Sequence, residues 1–141
     1  MRAAIAVIMD EQKRVLITQR ALHLSKGGYW EFPGGKLELN ESPELALIRE
    51  VHEEVGLDIV SYHYLGEVHH SYDTYEVILY GYVIHQYRGE ARCCESQLGI
   101  RWVSLDKLSD YDFPEANRQL IEKLYCTQVT IQSPPHPNPL P

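Results

Sequence analysis

Residues 31–57 read EFPGGKLELNESPELALIREVHEEVGL, a double glycine followed by carboxylates at set intervals that close on Arg-Glu-Val-His-Glu-Glu. Ser42 is suited to cap a helix and Pro43 to open one, while Gly56 stands just past the last periodic residue. The spacing therefore predicts a single helix between them. On that helix Glu50, Glu53 and Glu54 share one edge, with Ile48, Val51 and Val55 turned the other way. Like charges three and four residues apart each destabilise a solvated helix by about 0.2–0.5 kcal/mol. A divalent cation offsets that repulsion, and Mg²⁺ is a hard ion that shares carboxylates with substrate phosphates. In the loop ahead, Gly35 offers an unhindered carbonyl to such an ion and Lys36 a charge to a phosphate. Arg49 can reach back to Glu41 and tie loop to helix.

Working outward, Ala3–Met9 is a continuous apolar run, DEQKR a polar turn and Val15–Arg20 a second β-branched stretch, which together predict an opening hairpin. A loop through Lys26, Gly27 and Gly28 leads to the short strand YWEF. Pro33, Gly34 and Gly35 are expected to stop that strand and open a loop. Beyond the helix, Ile59–Tyr72 and Glu76–Tyr87 read as two long paired strands joined through Asp73-Thr74. IRWVSL gives another strand, SLDKL a helical turn, and Pro114–Tyr125 a final helix with Leu120, Ile121 and Leu124 on one stripe. Strands interleaved with these two helices point to an α/β fold, a mixed sheet covered by helices on both faces.

The 141-residue chain is sized for one domain, expected over residues 1–126. Residues 127–141 hold five of the eight prolines, and that composition predicts an extended or disordered tail. No apolar run approaches the ~20 residues of a membrane span. The opening run is followed by Asp10 and Glu11 and reads as a strand, not a signal peptide. Three cysteines, two of them adjacent, suit neither a disulfide framework nor zinc ligation, so a reducing cytoplasm is expected. A net charge of -7 argues against nucleic-acid polymers, whose affinity comes from lysine and arginine. A small anionic ligand remains open if a metal mediates. His69 and His70 are adjacent on a strand and face opposite sides, so they do not grip one ion.

The pattern Gly35, Glu41, Arg49, Glu50, Val51, Glu53, Glu54, Gly56, Leu57 resembles the Nudix box at every fixed position and spacing. The resemblance implies an α/β/α sandwich and hydrolysis of a nucleoside diphosphate linked to another group. By the same likeness Mg²⁺ or Mn²⁺ would be held by Glu50, Glu53, Glu54 and the Gly35 carbonyl, with Arg49 in the catalytic group. WEFPGGK and YDFPEANRQLIEKL are similar to the MutT-type branch, which hydrolyses nucleoside triphosphates, oxidised purine nucleotides such as 8-oxo-dGTP included. That likeness assigns Asn117 and the backbone of Phe32 to the base, Arg20 and Lys36 to the nucleotide, and Glu95 to an additional metal contact. It implies water attack at the β-phosphorus, giving a nucleoside monophosphate and pyrophosphate. Glu50 is the first choice to take the water's proton. The stretch from Glu95 to Trp102 is one residue longer than usual for the branch. HHSYDTYE lacks the basic residue expected beside the base.

Alternatives within the family are CTP or dCTP, ADP-ribose or a dinucleoside polyphosphate, the last suggested by Tyr75. From another class, a non-catalytic nucleotide-binding module is the rival. The expected partner is a small nucleotide, with no nucleic acid and no membrane, for a monomer or homodimer.

Overall fold

From Ala3 onward every residue of β1 (Arg2–Ile8) is buried, as befits a strand covered on both faces. A computed structural model describes residues 1–130 and 138–140. After β1 come β2 (Arg14–Gln19), β3 (Trp30–Glu31), β4 (Gly34–Lys36), α1 (Pro43–Val55), β5 (Asp58–Ser71), β6 (Glu76–Arg88) and β7 (Gly99–Ser104). A 3-10 helix (Leu105–Asp110), α2 (Glu115–Thr130) and β8 (Asn138–Pro139) complete the described elements. The first sheet runs β4-β1-β6-β5-β8, with β1 and β6 parallel and the other pairs antiparallel. The second is antiparallel, β3-β2-β7.

Side chains alternate across β1. Ala4, Ala6 and Ile8 join Ala46, Leu47, Val51 and Val55 of α1 in one cluster. Ala3, Ile5 and Val7 join Phe113, Leu120, Ile121 and Leu124 in the other, with Val15 and Ile17 of β2. The mixed sheet between helices is as the sequence implied. α1 also has its expected bounds: Ser42 Oγ accepts from Leu45 N at 3.2 Å, and Gly56, at φ 73°, donates to His52 O. With Ala46, Leu47, Val51 and Val55 turned inward, Glu50 and Glu54 are left against Gly35 and Gly34 of β4, and Glu53 toward solvent.

Two local expectations are corrected. β1 and β2 do not form a hairpin; a single bridge joins Met9 to Val15, and the strands belong to different sheets. Both edges of β1 are already taken by β4 and β6, which leaves none for β2. Gly34 and Gly35 do not simply open a loop but pair with Ile5 and Ala4. A Cβ at Gly34 would sit 2.1 Å from the Ala4 carbonyl oxygen, so the missing side chain is what lets the strands approach.

α2 runs past the expected Tyr125 to Thr130, and Asn138–Pro139 pair with Tyr62 and Ser61. Of the proline-rich tail, residues 131–137 and 141 lie outside the described residues. Among the described residues no helix is long and apolar enough to cross a membrane.

Leu120 is fully buried between α2 and the sheet. Leu120→Ala is expected to lower the unfolding free energy by about 2–5 kcal/mol in urea titrations, with an unchanged m-value. A loss under about 1 kcal/mol would mean that α2 is not a structural part of this core.

Candidate active site

Arg49 joins α1 to the loop ahead of it. Its Nε and Nη2 donate to the two Glu41 carboxylate oxygens, each at 2.8 Å, and Nη2 also donates to the Lys36 carbonyl at 3.1 Å. Nη1 reaches Glu50 at 2.8 Å and Glu53 at 3.3 Å. The two-pronged contact with Arg49, helped by the Glu38 N–H, holds the Glu41 carboxyl down at about 2.

The three helix acids occupy different surroundings. Glu53 is half-exposed. Glu50 lies against Gly35, where a Cβ would come within 2.4 Å of its carboxyl carbon. Burial raises its pKa, Arg49 opposes, and Glu53 and Glu95 add to the rise. Glu54 accepts from Gly34 N at 3.1 Å, yet burial outweighs that bond and, with Glu31, Glu50 and Glu95 nearby, pushes its pKa up to about 9. Glu31 is likewise raised by burial despite its ion pair with Arg20 at 3.1 Å.

A cleft of about 540 Å³ opens beside this edge. Gly34, Gly35, Lys36 and Glu54 line it, as do Arg20, Phe32 and Asn117. The structure thus brings all four expected nucleotide-contacting residues to one cleft. The Lys36 side chain is exposed at its rim, and Phe32 is buried and stacked on Phe113 at 5.3 Å. The Asn117 Oδ1 is buried and has no partner. An unmet acceptor in a cleft wall costs about 1–3 kcal/mol unless a ligand supplies a donor.

Glu95 is exposed on the β6–β7 loop, close enough to Glu50 and Glu54 to raise their pKa values. Gln97, which no sequence pattern singles out, fixes that loop: its Oε1 accepts from Glu95 N at 2.9 Å and its Nε2 donates to the Glu54 carbonyl at 2.8 Å. Cys94 N donates to the same carbonyl. Lys26 and Tyr72 were also missed and line the cleft. No local signal in the sequence marks them, since loops distant in the chain bring them together.

The donor set suits a divalent cation. Glu50 and Glu54 are carboxylates whose ionised forms are disfavoured by burial and by neighbouring carboxylates, Glu95 among them for both, and a hard cation relieves both. Among the described residues no three carboxylate, imidazole or thiol groups are gathered into a ligand set as they stand. Arg49 holds Glu50 and Glu53, and the Gly34 amide holds Glu54.

The sequence model of the NUDIX domain family matches residues 4–123. The chain belongs to the Nudix family. It is 34% identical over 124 residues to the 8-oxo-dGTP diphosphatase of Escherichia coli K12, covering 88% of this chain and 95% of that one. It is 28% identical over 118 residues to the CTP pyrophosphohydrolase of the same organism, covering 84% and 87%. The solved MutT NUDIX hydrolase of Burkholderia pseudomallei superposes with a TM-score of 0.80 at 28% identity, over 87% of this chain and 96% of that one. The protein is a Nudix hydrolase of the MutT type, a class that generally needs a divalent metal.

Glu54 gives the metal-free protein a pH signature. Its folded pKa of about 9 stands above the ordinary 4.5, so the folded state keeps a proton that the unfolded state has lost. Across that window stability falls as pH rises. Calorimetry in chelator should show Tm decreasing from pH 5 to pH 9. Glu54→Gln should flatten the slope and raise Tm at pH 8. A variant destabilised at pH 8 would contradict the burial of a disfavoured charge.

Proposed function

We propose that this Nudix hydrolase converts nucleoside triphosphates, oxidised purine nucleotides such as 8-oxo-dGTP foremost, to the monophosphate and pyrophosphate. The observation that carries this reading is one cleft with disfavoured carboxylates at the α1 edge and an unpartnered Asn117 carbonyl oxygen on its wall. A carboxamide presents a donor and an acceptor, which suits a purine edge. The names of the diphosphatase relatives support the same substrate class. A cytoplasmic setting is consistent with the exposed Cys93 and Cys94, which form no disulfide.

Glu50, Glu53, Glu54, the Gly35 carbonyl and Glu95 would hold Mg²⁺ or Mn²⁺. Bound there, the ion neutralises phosphate oxygens and acidifies water. Arg49 keeps Glu50 fixed through its 2.8 Å contact, and the absence of a side chain at Gly35 gives that carboxylate its place. Glu50 takes the proton of the attacking water, whose oxygen bonds to the β-phosphorus as the bond to the leaving monophosphate breaks. Arg20 and Lys36 bring positive charge to the phosphate chain. Burial of Phe32 fixes its backbone as a wall against which the base is read, and Asn117 receives a base N–H.

A panel of nucleoside triphosphates, 8-oxo-dGTP beside dGTP and CTP, should release pyrophosphate and no orthophosphate when Mg²⁺ is present. In ¹⁸O-water the label should appear in pyrophosphate, and its appearance in the monophosphate would move the attack to the α-phosphorus. Glu53→Gln and Glu50→Gln should each lower kcat by roughly 10²-fold or more while leaving Tm within a few degrees of wild type. Turnover undiminished in both variants would remove these residues from the machinery.

A further inference from the structure

Lys26 has no role in the proposed hydrolysis, yet it stands in the cleft wall. Its backbone is left-handed, with φ 56°, in the loop between β2 and β3. Glycine adopts that conformation without strain, so the lysine at this point carries a backbone cost that a glycine would not. The loop holds it firmly. Gly27 N donates to Leu24 O at 3.0 Å, Tyr29 N to Lys26 O at 3.2 Å and Arg20 Nε to Ser25 O at 2.9 Å. A Cβ at Gly27 would meet the Leu22 carbonyl oxygen at 2.5 Å, so the loop is folded tightly on itself.

The ammonium nitrogen lies 4.2 Å from the centroid of the Tyr72 ring. No salt bridge joins it to a carboxylate among the described residues. Tyr72 is itself pinned, because its hydroxyl accepts from Ala116 N at 3.0 Å, one residue before Asn117. Lys26 and Asn117 are therefore linked through one ring, and both line the same cleft.

Their demands are complementary. The Asn117 oxygen needs a donor, and an ammonium group has donors and no acceptor. A base edge with a ring N–H beside a carbonyl oxygen, as in guanine and its 8-oxo form, satisfies both. Adenine in the same pose presents a lone pair to Asn117 and an amino group to Lys26, which inverts each contact. We propose that Lys26 is a specificity-determining residue that donates to the carbonyl oxygen of a keto-purine while Asn117 receives the adjoining N–H. The proposal rests on the reading of the cleft as a nucleotide site.

Calorimetric titration of the full chain with dGMP and dAMP, for wild type and for Lys26→Met, Lys26→Arg and Lys26→Gly, tests it apart from turnover. Wild type should favour dGMP by about 10-fold or more. The Met and Gly variants should bring the two affinities within about 3-fold through weaker dGMP binding, and the Arg variant should keep the preference. Because φ 56° suits glycine, Lys26→Gly should melt at or above the wild-type Tm, which separates lost recognition from misfolding.

Equal weakening toward both nucleotides, an unchanged ratio in Lys26→Met, or a wild type that binds neither or prefers neither would each overturn the proposal. A Lys26-dependent preference without triphosphate turnover would remove the nucleoside triphosphate as substrate and leave the role of Lys26 standing. Turnover with a preference indifferent to Lys26 would do the reverse.

Discussion

The contact on which the rest of the site depends is the guanidinium of Arg49, shared among Glu41, Glu50, Glu53 and the Lys36 carbonyl. Two parallel bonds to Glu41 set the orientation of the planar group, and the remaining N–H groups then reach the helix edge and the loop backbone. A lysine would carry the charge without the fork. Without a cation at that point, Glu41 and Glu50 would face each other with no counter-charge, and the stretch from Lys36 to Glu41 would lose its tie to α1. Glu50 is set from two sides, by this contact and by the bare Cα of Gly35.

The carboxylate edge was legible in the sequence because every signal for it is local. Ser42, Pro43 and Gly56 bound the helix, and a period of 3.6 residues places Glu50, Glu53 and Glu54 on one edge. The partners of β1 were not legible in the same way. Strand pairing is a long-range choice, and the apolar run Ala3–Met9 shows that a strand is buried without showing which neighbours bury it. Gly34 and Gly35 look like turn residues in the sequence, whereas their role is close approach to β1, and either use of glycine leaves the same local signal. Lys26, Tyr72 and Gln97 carry no local signal for a related reason. Each is an ordinary loop or strand-end residue until the fold brings it to the cleft or to the end of α1.

Burial and charge oppose each other throughout this site. Glu31, Glu50 and Glu54 are all raised by burial as the leading cause, and the opposing contacts from Arg20, Arg49 and the Gly34 amide do not reverse the direction. The same cleft leaves the Asn117 oxygen unmet. A fold selected for stability alone would place neither feature there. Both are relieved from outside, by positive charge at the edge and by a hydrogen-bond donor at the wall. That need ties ligand binding to the stability of the domain.

The parallel ladder between β1 and β6 aligns Arg2 with Ile78 and Ile8 with Ile84, while β4, with Gly34 and Gly35, takes the other edge of β1. Such distant pairings close late, because loop entropy must be overcome before they contribute. On the ribosome, the whole acidic motif is synthesised before β6, the strand that completes its scaffold. A nascent chain therefore displays the motif while lacking the rigid frame that positions it, and activity begins with the closing of the sheet.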